Sequence, residues 1–167
     1  MSNTEKNLMD AFAGESQANR KYLAFAREAD EEGMAQVAKL FRAAAAAETV
    51  HALAHLKNAG KVHDTKANLQ DAINGETYEF TKMYPEMIQE AEAEGKTAIA
   101  KYFSFVNKVE GVHAELFKKA LENPAALPET DYYICSVCGS THEGPCEKCP
   151  VCGAPAKAFK KVEEFCK

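Results

Sequence analysis

The sequence lacks long apolar runs, an excess of positive charge and an export signal, and each absence excludes a class of protein. No run approaches the ~18 apolar residues of a transmembrane helix. The formal net charge is −5, which argues against nucleic acid or an anionic membrane as the main partner. No basic segment followed by an apolar one opens the chain, so we predict a cytoplasmic protein with reduced thiols.

Cysteine is absent before residue 135, and only one proline precedes residue 123. The remaining five prolines and all six cysteines lie after residue 122. Residues 1–122 are rich in Ala, Glu, Lys and Leu, a composition that favours helix. We therefore predict a helical domain over 1–122, a linker over 123–134 and a small metal-binding domain over 135–167. Twelve extended residues span at most ~40 Å, so the small domain can lie well away from its own helices or on those of a neighbouring subunit.

Helix start and stop signals predict four long helices, over 2–32, 34–58, 66–94 and 96–122. Ser2 and Glu5 have the spacing of a capping box. Pro85 is expected to kink the third helix or to leave backbone hydrogen bonds unmade. A glycine follows each of the first three helices, namely Gly33, Gly60 and Gly95. Four such helices with short connections are typical of a four-helix bundle, so the predicted fold class is mainly α.

The helical region contains an internal repeat. Residues 32–41 (EGMAQVAKLF) match residues 94–103 (EGKTAIAKYF) at an offset of 62. The same offset relates a glutamate, a histidine and a tyrosine of the two halves, whereas GES at 14–16 and GET at 75–77 match at an offset of 61. The pattern indicates a duplicated helical hairpin.

Every predicted helix carries a glutamate in its apolar stripe near mid-length, and two helices add a histidine one turn later. These residues are Glu15, Glu48, His51, Glu76, Glu79, Glu110 and His113. A buried, unpaired carboxylate is costly to keep ionised, and bound cations resolve that conflict. One Glu from each of two helices plus Glu-x-x-His from each of the others is the di-iron or di-manganese carboxylate arrangement. We predict a two-metal site of iron or manganese in the bundle core.

Other residues near this layer leave alternatives open. Tyr22 and Tyr84 occupy matching repeat positions and are either ordinary core residues or hydrogen-bond donors to the ligand carboxylates. His55 has no polar counterpart in the repeat, so packing is favoured over ligation.

Two C-x-x-C-G motifs in the tail predict a tetrahedral four-thiolate metal site. Their cysteines are Cys135, Cys138, Cys149 and Cys152. Cys146 also forms a C-x-x-C with Cys149, but only the later pair carries the trailing glycine, so we expect Cys146 and Cys166 to be free. Four thiolates suit both iron and zinc.

These motifs resemble those of the rubrerythrin family along essentially the whole chain. The matching segments are Phe12–Gln17 (FAGESQ), Gly75–Glu79 (GETYE), Met83–Pro85 (MYP) and His142–Gly144 (HEG). The resemblance implies a ferritin-like di-iron four-helix bundle followed by a rubredoxin-like domain with one iron held by four cysteines. It also implies reduction of hydrogen peroxide to water, with electrons supplied ultimately by a reduced pyridine nucleotide.

The resemblance also implies residue roles. Glu48 and Glu110 would bridge the two irons, with Glu76 and His113 completing one iron and Glu15 the other. Glu79 and His51 would exchange on that second iron as its redox state changes. Tyr22 and Tyr84 match the family's tyrosines beside the site.

The implied partners are hydrogen peroxide, an electron donor such as a rubredoxin or an NAD(P)H-dependent reductase, and a second copy of the chain in a homodimer. Three other functions stay open: a ferroxidase or iron-handling protein, an oxygen reductase, and a non-enzymatic scaffold with structural zinc.

Overall fold

The structure is a computed structural model that describes residues 2–165, without the side chains of residues 164 and 165. Its long helices are α1 (Asn3–Glu31), α2 (Ala35–Asn58), α3 (Thr65–Tyr78), α4 (Tyr84–Ala93) and α5 (Thr97–Glu122). The C-terminal part has the strands β1 (Tyr132–Cys135), β2 (Thr141–Glu143) and β3 (Phe159–Lys161) and the short helix α6 (Val162–Phe165). Short 3-10 turns cover Pro124–Ala126 and Ala156–Ala158. The predicted class, mainly α with a small C-terminal domain, is confirmed. Cys166, which we expected to be a free thiol, lies outside the described residues.

The helix ends follow the predicted signals. The side chain of Ser2 accepts a hydrogen bond from the backbone N–H of Glu5 at 3.1 Å and caps α1. Asp64 caps α3 in the same way by accepting from the N–H of Ala67 at 2.9 Å. Positive φ angles of 77°, 67° and 72° at the three predicted stop glycines end the helices before them.

The third predicted helix is interrupted by a π-helical turn, Glu79–Met83, between α3 and α4. Pro85 lies in the first turn of α4, where its missing N–H costs least. In a continuous α-helix its ring would clash with the carbonyl of Thr81, so the wider turn replaces the expected kink. Glu79, a predicted metal ligand, is the first residue of this turn.

The chain divides into two compact units, Met1–His63 and Asp64–Lys167. The first is the hairpin of α1 and α2, which pack closely through alanine. The buried residues of α2 are Ala38, Ala45 and Ala52, spaced seven apart as in a helix–helix seam. Asn19 of α1 is buried beside them and donates to the carbonyl of Ala45 at 2.7 Å and to Thr49 Oγ1 at 2.8 Å.

The second unit contains α3, α4, α5 and the three-stranded sheet. In that sheet β1 is central and pairs antiparallel with β2 and β3. Val109 of α5 belongs to the same buried cluster as Cys135, Cys138 and Cys149, and Phe105 packs against it. Helix α5 therefore forms one wall of the cysteine-rich domain.

Alanine occupies most of the buried positions of the repeat. Ala38 and Ala52 are buried, as are their counterparts Ala100 and Ala114 at the offset of 62. By contrast Val37 and Ile99, the residues directly before Ala38 and Ala100, are 41% and 46% exposed. Alanine lets paired helix axes approach closely, so the seam runs along the alanine face beside the stripe that we predicted. Within the described residues no helix is long and apolar enough to cross a membrane.

Candidate metal centres

The first unit brings together one of the predicted ligand sets. Glu15 of α1 and Glu48 and His51 of α2 each offer a ligand atom, and these atoms lie within 4.8 Å of one another. Nδ1 of His51 is 2.8 Å from Oε2 of Glu48, as the i, i+3 spacing on one helix face predicts. The His51 side chain is 55% exposed, whereas that of Glu48 is 17% exposed.

The second unit brings together the matching set. Glu76 of α3 and Glu110 and His113 of α5 also have ligand atoms within 4.8 Å of one another. Nδ1 of His113 is 2.9 Å from Oε2 of Glu110 and 3.7 Å from Oε2 of Glu76. All three side chains are at most one quarter exposed. The imidazole of His113 is therefore less exposed than that of His51 in the first unit.

His51 and His113 differ in the hydrogen bonding of Nε2, the ring nitrogen that faces away from the carboxylates. Nε2 of His113 lies 3.0 Å from Oγ1 of Thr141 in β2. Among the described residues, Nε2 of His51 has no hydrogen-bond partner. One imidazole is fixed at both nitrogens and the other at one only.

Burial changes the pKa values of two carboxyl groups in the second unit. It raises the pKa of Glu76 to about 7, an effect that the nearby His113 opposes and the Glu110 carboxylate reinforces. Burial and the Glu110 charge also raise the pKa of Glu79. The hydrogen bond with Glu110 is the main cause of the raised pKa of His113. Closely spaced carboxyl groups with raised pKa values are typical of a cation-binding site.

Three further residues were predicted near the metal ligands, namely Glu79, Tyr84 and Tyr22. Glu79 lies outside the group of three ligand atoms, but its charge and that of Glu110 act on Tyr84. Burial and those charges raise the pKa of Tyr84, which keeps its phenol protonated. Tyr22 stacks in the first unit against Phe25 and Phe41, with ring centroids 6.4 Å and 6.2 Å away.

The four predicted thiolate ligands converge in the small domain of the second unit. Sγ of Cys135 is 3.7 Å from that of Cys152, and Sγ of Cys138 is 3.6 Å from that of Cys149. A tetrahedron with metal–sulfur bonds of ~2.3 Å has edges of about 3.8 Å, so this four-cysteine site fits one metal ion. Cys146 lies outside it, with its thiol donating to the carbonyl of Lys148 at 3.0 Å.

Each cysteine motif forms the same tight turn. The N–H of Gly139 donates to the carbonyl of Cys135 at 2.8 Å, and the N–H of Gly153 donates to that of Cys149 at 2.9 Å. Both glycines have φ near +80°, which explains the trailing glycine of the motif. Although burial opposes it, backbone N–H groups of Cys152 and Val151 lower the pKa of Cys149 to about 7. The second turn therefore favours the thiolate of Cys149, whereas burial raises the pKa values of Cys138 and Cys152.

Two residues of these centres were not predicted from the sequence. Thr141 lies in a short strand with no motif, and Val109 is an apolar residue of α5 that belongs to no motif. The only sequence signal for Val109 is its position directly before Glu110. No sequence signal marks Thr141, because its role depends on where the small domain contacts α5.

The donor sets fit the groups that the sequence implies. Mixed carboxylate and imidazole ligands suit iron or manganese, and four thiolates suit iron or zinc. The raised pKa values of Glu76 and Glu79 mean that the protein alone stabilises these two carboxylates poorly as anions.

Comparison with known proteins gives one consistent result. The profile of the rubrerythrin family matches residues 6–121, and that of the rubrerythrin, rubredoxin-like domain matches residues 133–160. Nigerythrin of Nitratidesulfovibrio vulgaris is 38% identical, over 93% of this chain and 85% of that protein. Rubrerythrin of the same organism is 35% identical over 95% of this chain and 94% of its own. A solved nigerythrin structure in a mixed-valence state aligns with a TM-score of 0.58 at 35% identity, covering 96% of this chain and 87% of that one.

Proposed function

Because the chain belongs to the rubrerythrin family, we propose that it is a non-haem di-iron peroxidase that reduces hydrogen peroxide to water. The chain has the di-iron site and the rubredoxin-like four-cysteine site of that family. The overall reaction consumes one H₂O₂, two electrons and two protons and yields two waters. Bound iron supplies the electrons and the Lewis acidity for cleavage of the O–O bond.

The observation that carries the proposal is the position of α5. This helix contributes Glu110 and His113 to one metal group, and its Val109 packs into the cysteine cluster that forms the other. A protein that only stores or oxidises iron has no need of a second centre beside the first. A peroxidase that takes single electrons from a donor has that need.

The ligands would divide between the two units as the repeat suggests. Glu15, Glu48 and His51 are the ligand set of the first unit, and Glu76, Glu110 and His113 that of the second. The family resemblance implies that Glu79 would exchange with His51 as a ligand of the iron that Glu15 completes. The exposed ring of His51, held at one nitrogen only, is suited to such an exchange, whereas the ring of His113 is not.

Protons for the product waters would come from groups beside the carboxylates. Tyr84 keeps its proton because burial and nearby carboxylates raise the pKa of its phenol. It can therefore donate a hydrogen bond to an oxygen at the site and bring a proton within reach of it. Tyr22 would play the matching part in the first unit, where its ring rests against Phe25 and Phe41.

The proposal also names a compartment and partners. Four reduced thiolates require a reducing environment, so we place the protein in the cytoplasm, in a response to oxidative stress. Electrons would enter the iron of the four-cysteine site from a rubredoxin or an NAD(P)H-dependent reductase. We propose that the working form is a homodimer, which sedimentation velocity of the iron-loaded protein would test.

Anaerobic stopped-flow spectroscopy of the fully reduced, iron-loaded protein tests the activity. The protein is mixed separately with hydrogen peroxide and with oxygen while reoxidation of both iron centres is followed. We expect faster reoxidation by peroxide, with the iron of the four-cysteine site oxidised after the di-iron pair. An equal or faster reaction with oxygen would instead favour an oxygen reductase or a ferroxidase.

The Cys138→Ser variant tests the relay separately. It removes one thiolate, so single-turnover peroxide reduction by the prereduced helical domain should persist while donor-driven turnover is lost. Cys146→Ser is the matched control, because Cys146 lies outside the four-cysteine site and its loss should leave turnover unchanged. Full donor-driven turnover in Cys138→Ser would contradict the relay.

A further inference from the structure

A short bonded route joins the four-cysteine site to the second carboxylate group. The N–H of Cys135 donates to the carbonyl of Ser140 at 2.9 Å, and Ser140 is covalently bonded to Thr141. Oγ1 of Thr141 lies 3.0 Å from Nε2 of His113. Two hydrogen bonds therefore connect a thiolate ligand of one site with an imidazole ligand of the other, and all four residues belong to the unit Asp64–Lys167.

The geometry of His113 assigns a direction to the second of these hydrogen bonds. Nδ1 faces Oε2 of Glu110 and Oε2 of Glu76, so Nδ1 is the nitrogen on the carboxylate side. With Nδ1 directed to a metal, the ring proton is on Nε2 and is donated to the hydroxyl oxygen of Thr141. A histidine ligand whose other N–H is held in this way has a fixed tautomer and a fixed ring orientation.

We propose that Thr141 is a positioning residue that orients His113 and couples the four-cysteine site to the iron-binding group of the same chain. The proposal deepens the proposed function and rests on it, because it specifies the route of the electron relay. With iron bound, the four cysteines would hold the one-electron donor, and Glu76, Glu110 and His113 would hold the acceptor. Oxidation of ferrous to ferric iron in the first site would balance reduction of ferric to ferrous iron in the second. No bond is made or broken in that step.

A second contact between the same two elements provides a matched control. Lys119 of α5 pairs with Glu143 of β2 at 2.6 Å, between one and two helical turns beyond His113. This ion pair also holds β2 against α5, but it touches no predicted ligand. Glu143→Gln therefore weakens the docking of the strand without altering the hydrogen bond to His113.

The test compares Thr141→Val, Thr141→Ser and Glu143→Gln in the full-length protein. Valine keeps the shape of threonine and removes the acceptor, whereas serine restores it. Loss of a residue that orients a metal-binding histidine typically lowers metal affinity or activity about 10- to 100-fold. We expect reoxidation of the iron in the four-cysteine site, after mixing with peroxide or oxygen, to slow by that factor in Thr141→Val. In Thr141→Ser and Glu143→Gln the rate should stay within about twofold of wild type.

A second measurement does not depend on turnover. In zinc-substituted, ¹⁵N-histidine-labelled full-length protein, the hydrogen on Nε2 of His113 should exchange slowly with solvent and be visible by NMR. It should disappear in Thr141→Val and persist in Thr141→Ser. An unchanged resonance in Thr141→Val would overturn the proposal, as would an equal slowing of electron transfer in Glu143→Gln.

The two measurements separate this proposal from the peroxidase assignment. If the resonance depends on the Thr141 hydroxyl and reoxidation of the four-cysteine site slows in Thr141→Val, the positioning role is supported whichever oxidant drives the reaction. If wild type reacts faster with oxygen than with peroxide, only the peroxidase assignment fails. If wild-type protein transfers electrons to its di-iron site at a rate that Thr141→Val leaves unchanged, the route through Thr141 is wrong.

Discussion

Among single residues, Glu76 is the one whose protonation should report most directly on the metal. Burial raises the pKa of Glu76 to about 7 in the protein without metal, against 4.5 for an unperturbed glutamate. The folded state then binds more protons than the unfolded state between those two pH values, so Glu76 lowers stability as the pH rises through about 7. The effect is at most ~3 kcal/mol, because one pKa unit corresponds to about 1.4 kcal/mol and the side chain is partly exposed.

Thermal unfolding of the metal-free protein and of Glu76→Gln between pH 4.5 and 8 measures this effect. We expect the melting temperature of the variant, relative to wild type, to rise as the pH increases. Glutamine stays neutral and escapes the penalty. Glu15→Gln is the control from the first unit, and a difference that does not change with pH in Glu76→Gln would contradict the assignment. With metal bound the sign reverses, and metal affinity should weaken below pH 7 because protons compete for the carboxylate.

Local rules predicted part of each group of side chains that the structure brings together. Glu-x-x-His places two donors on one helix face, and C-x-x-C-G places two thiolates in one turn. The hydrogen bond from His113 to Thr141 was not predictable. It joins residues 28 positions apart through a tertiary contact that no local pattern encodes.

At the scale of elements, the π-helical turn explains an irregularity of the repeat. Glu15 and Tyr22 are seven residues apart, whereas their counterparts Glu76 and Tyr84 are eight apart. A π turn is a helix with one inserted residue, and the turn Glu79–Met83 lies within that interval. The change of offset from 61 to 62 therefore marked the insertion in the sequence. We predicted a kink because Pro85 alone does not distinguish a bend from an insertion.

Deleting the exposed residue Lys82 tests this interpretation. The deletion should convert the turn to α-helix and bring the proline ring against the preceding carbonyl, a clash that costs ~3 kcal/mol or more. We expect a lower free energy of unfolding in urea, with far-UV circular dichroism still helical. Adding Pro85→Ala to the deletion removes the ring and should restore part of the loss. Pro85→Ala alone is the control, and a deletion variant as stable as wild type would show that the insertion is not needed.

At the scale of the whole molecule, the four-cysteine site replaces a conventional hydrophobic core in the small domain. Within the described part of the C-terminal domain, the fully buried side chains include Cys135, Cys149 and Ser140, and no large apolar side chain is among them. Domains below ~40 residues need a metal, disulfides or association to stay folded. The sequence predicted this domain from its cysteines, but not its place on α5. A twelve-residue linker reaches many positions, and the packing of Phe105 and Val109 selects one.

Removal of the metal from the four-cysteine site should therefore unfold one part of the molecule and leave another intact. In full-length Cys149→Ser, hydrogen exchange monitored by mass spectrometry should show loss of amide protection over residues 132–161. Protection should also fall around Val109 in α5, which packs on the cysteine cluster. Helices α1 and α2 form the separate unit Met1–His63 and should keep theirs. Cys146→Ser should match wild type throughout. Retained protection over 132–161 in Cys149→Ser would mean that packing against α5 alone holds the domain, and the four-cysteine site would then serve only the electron relay.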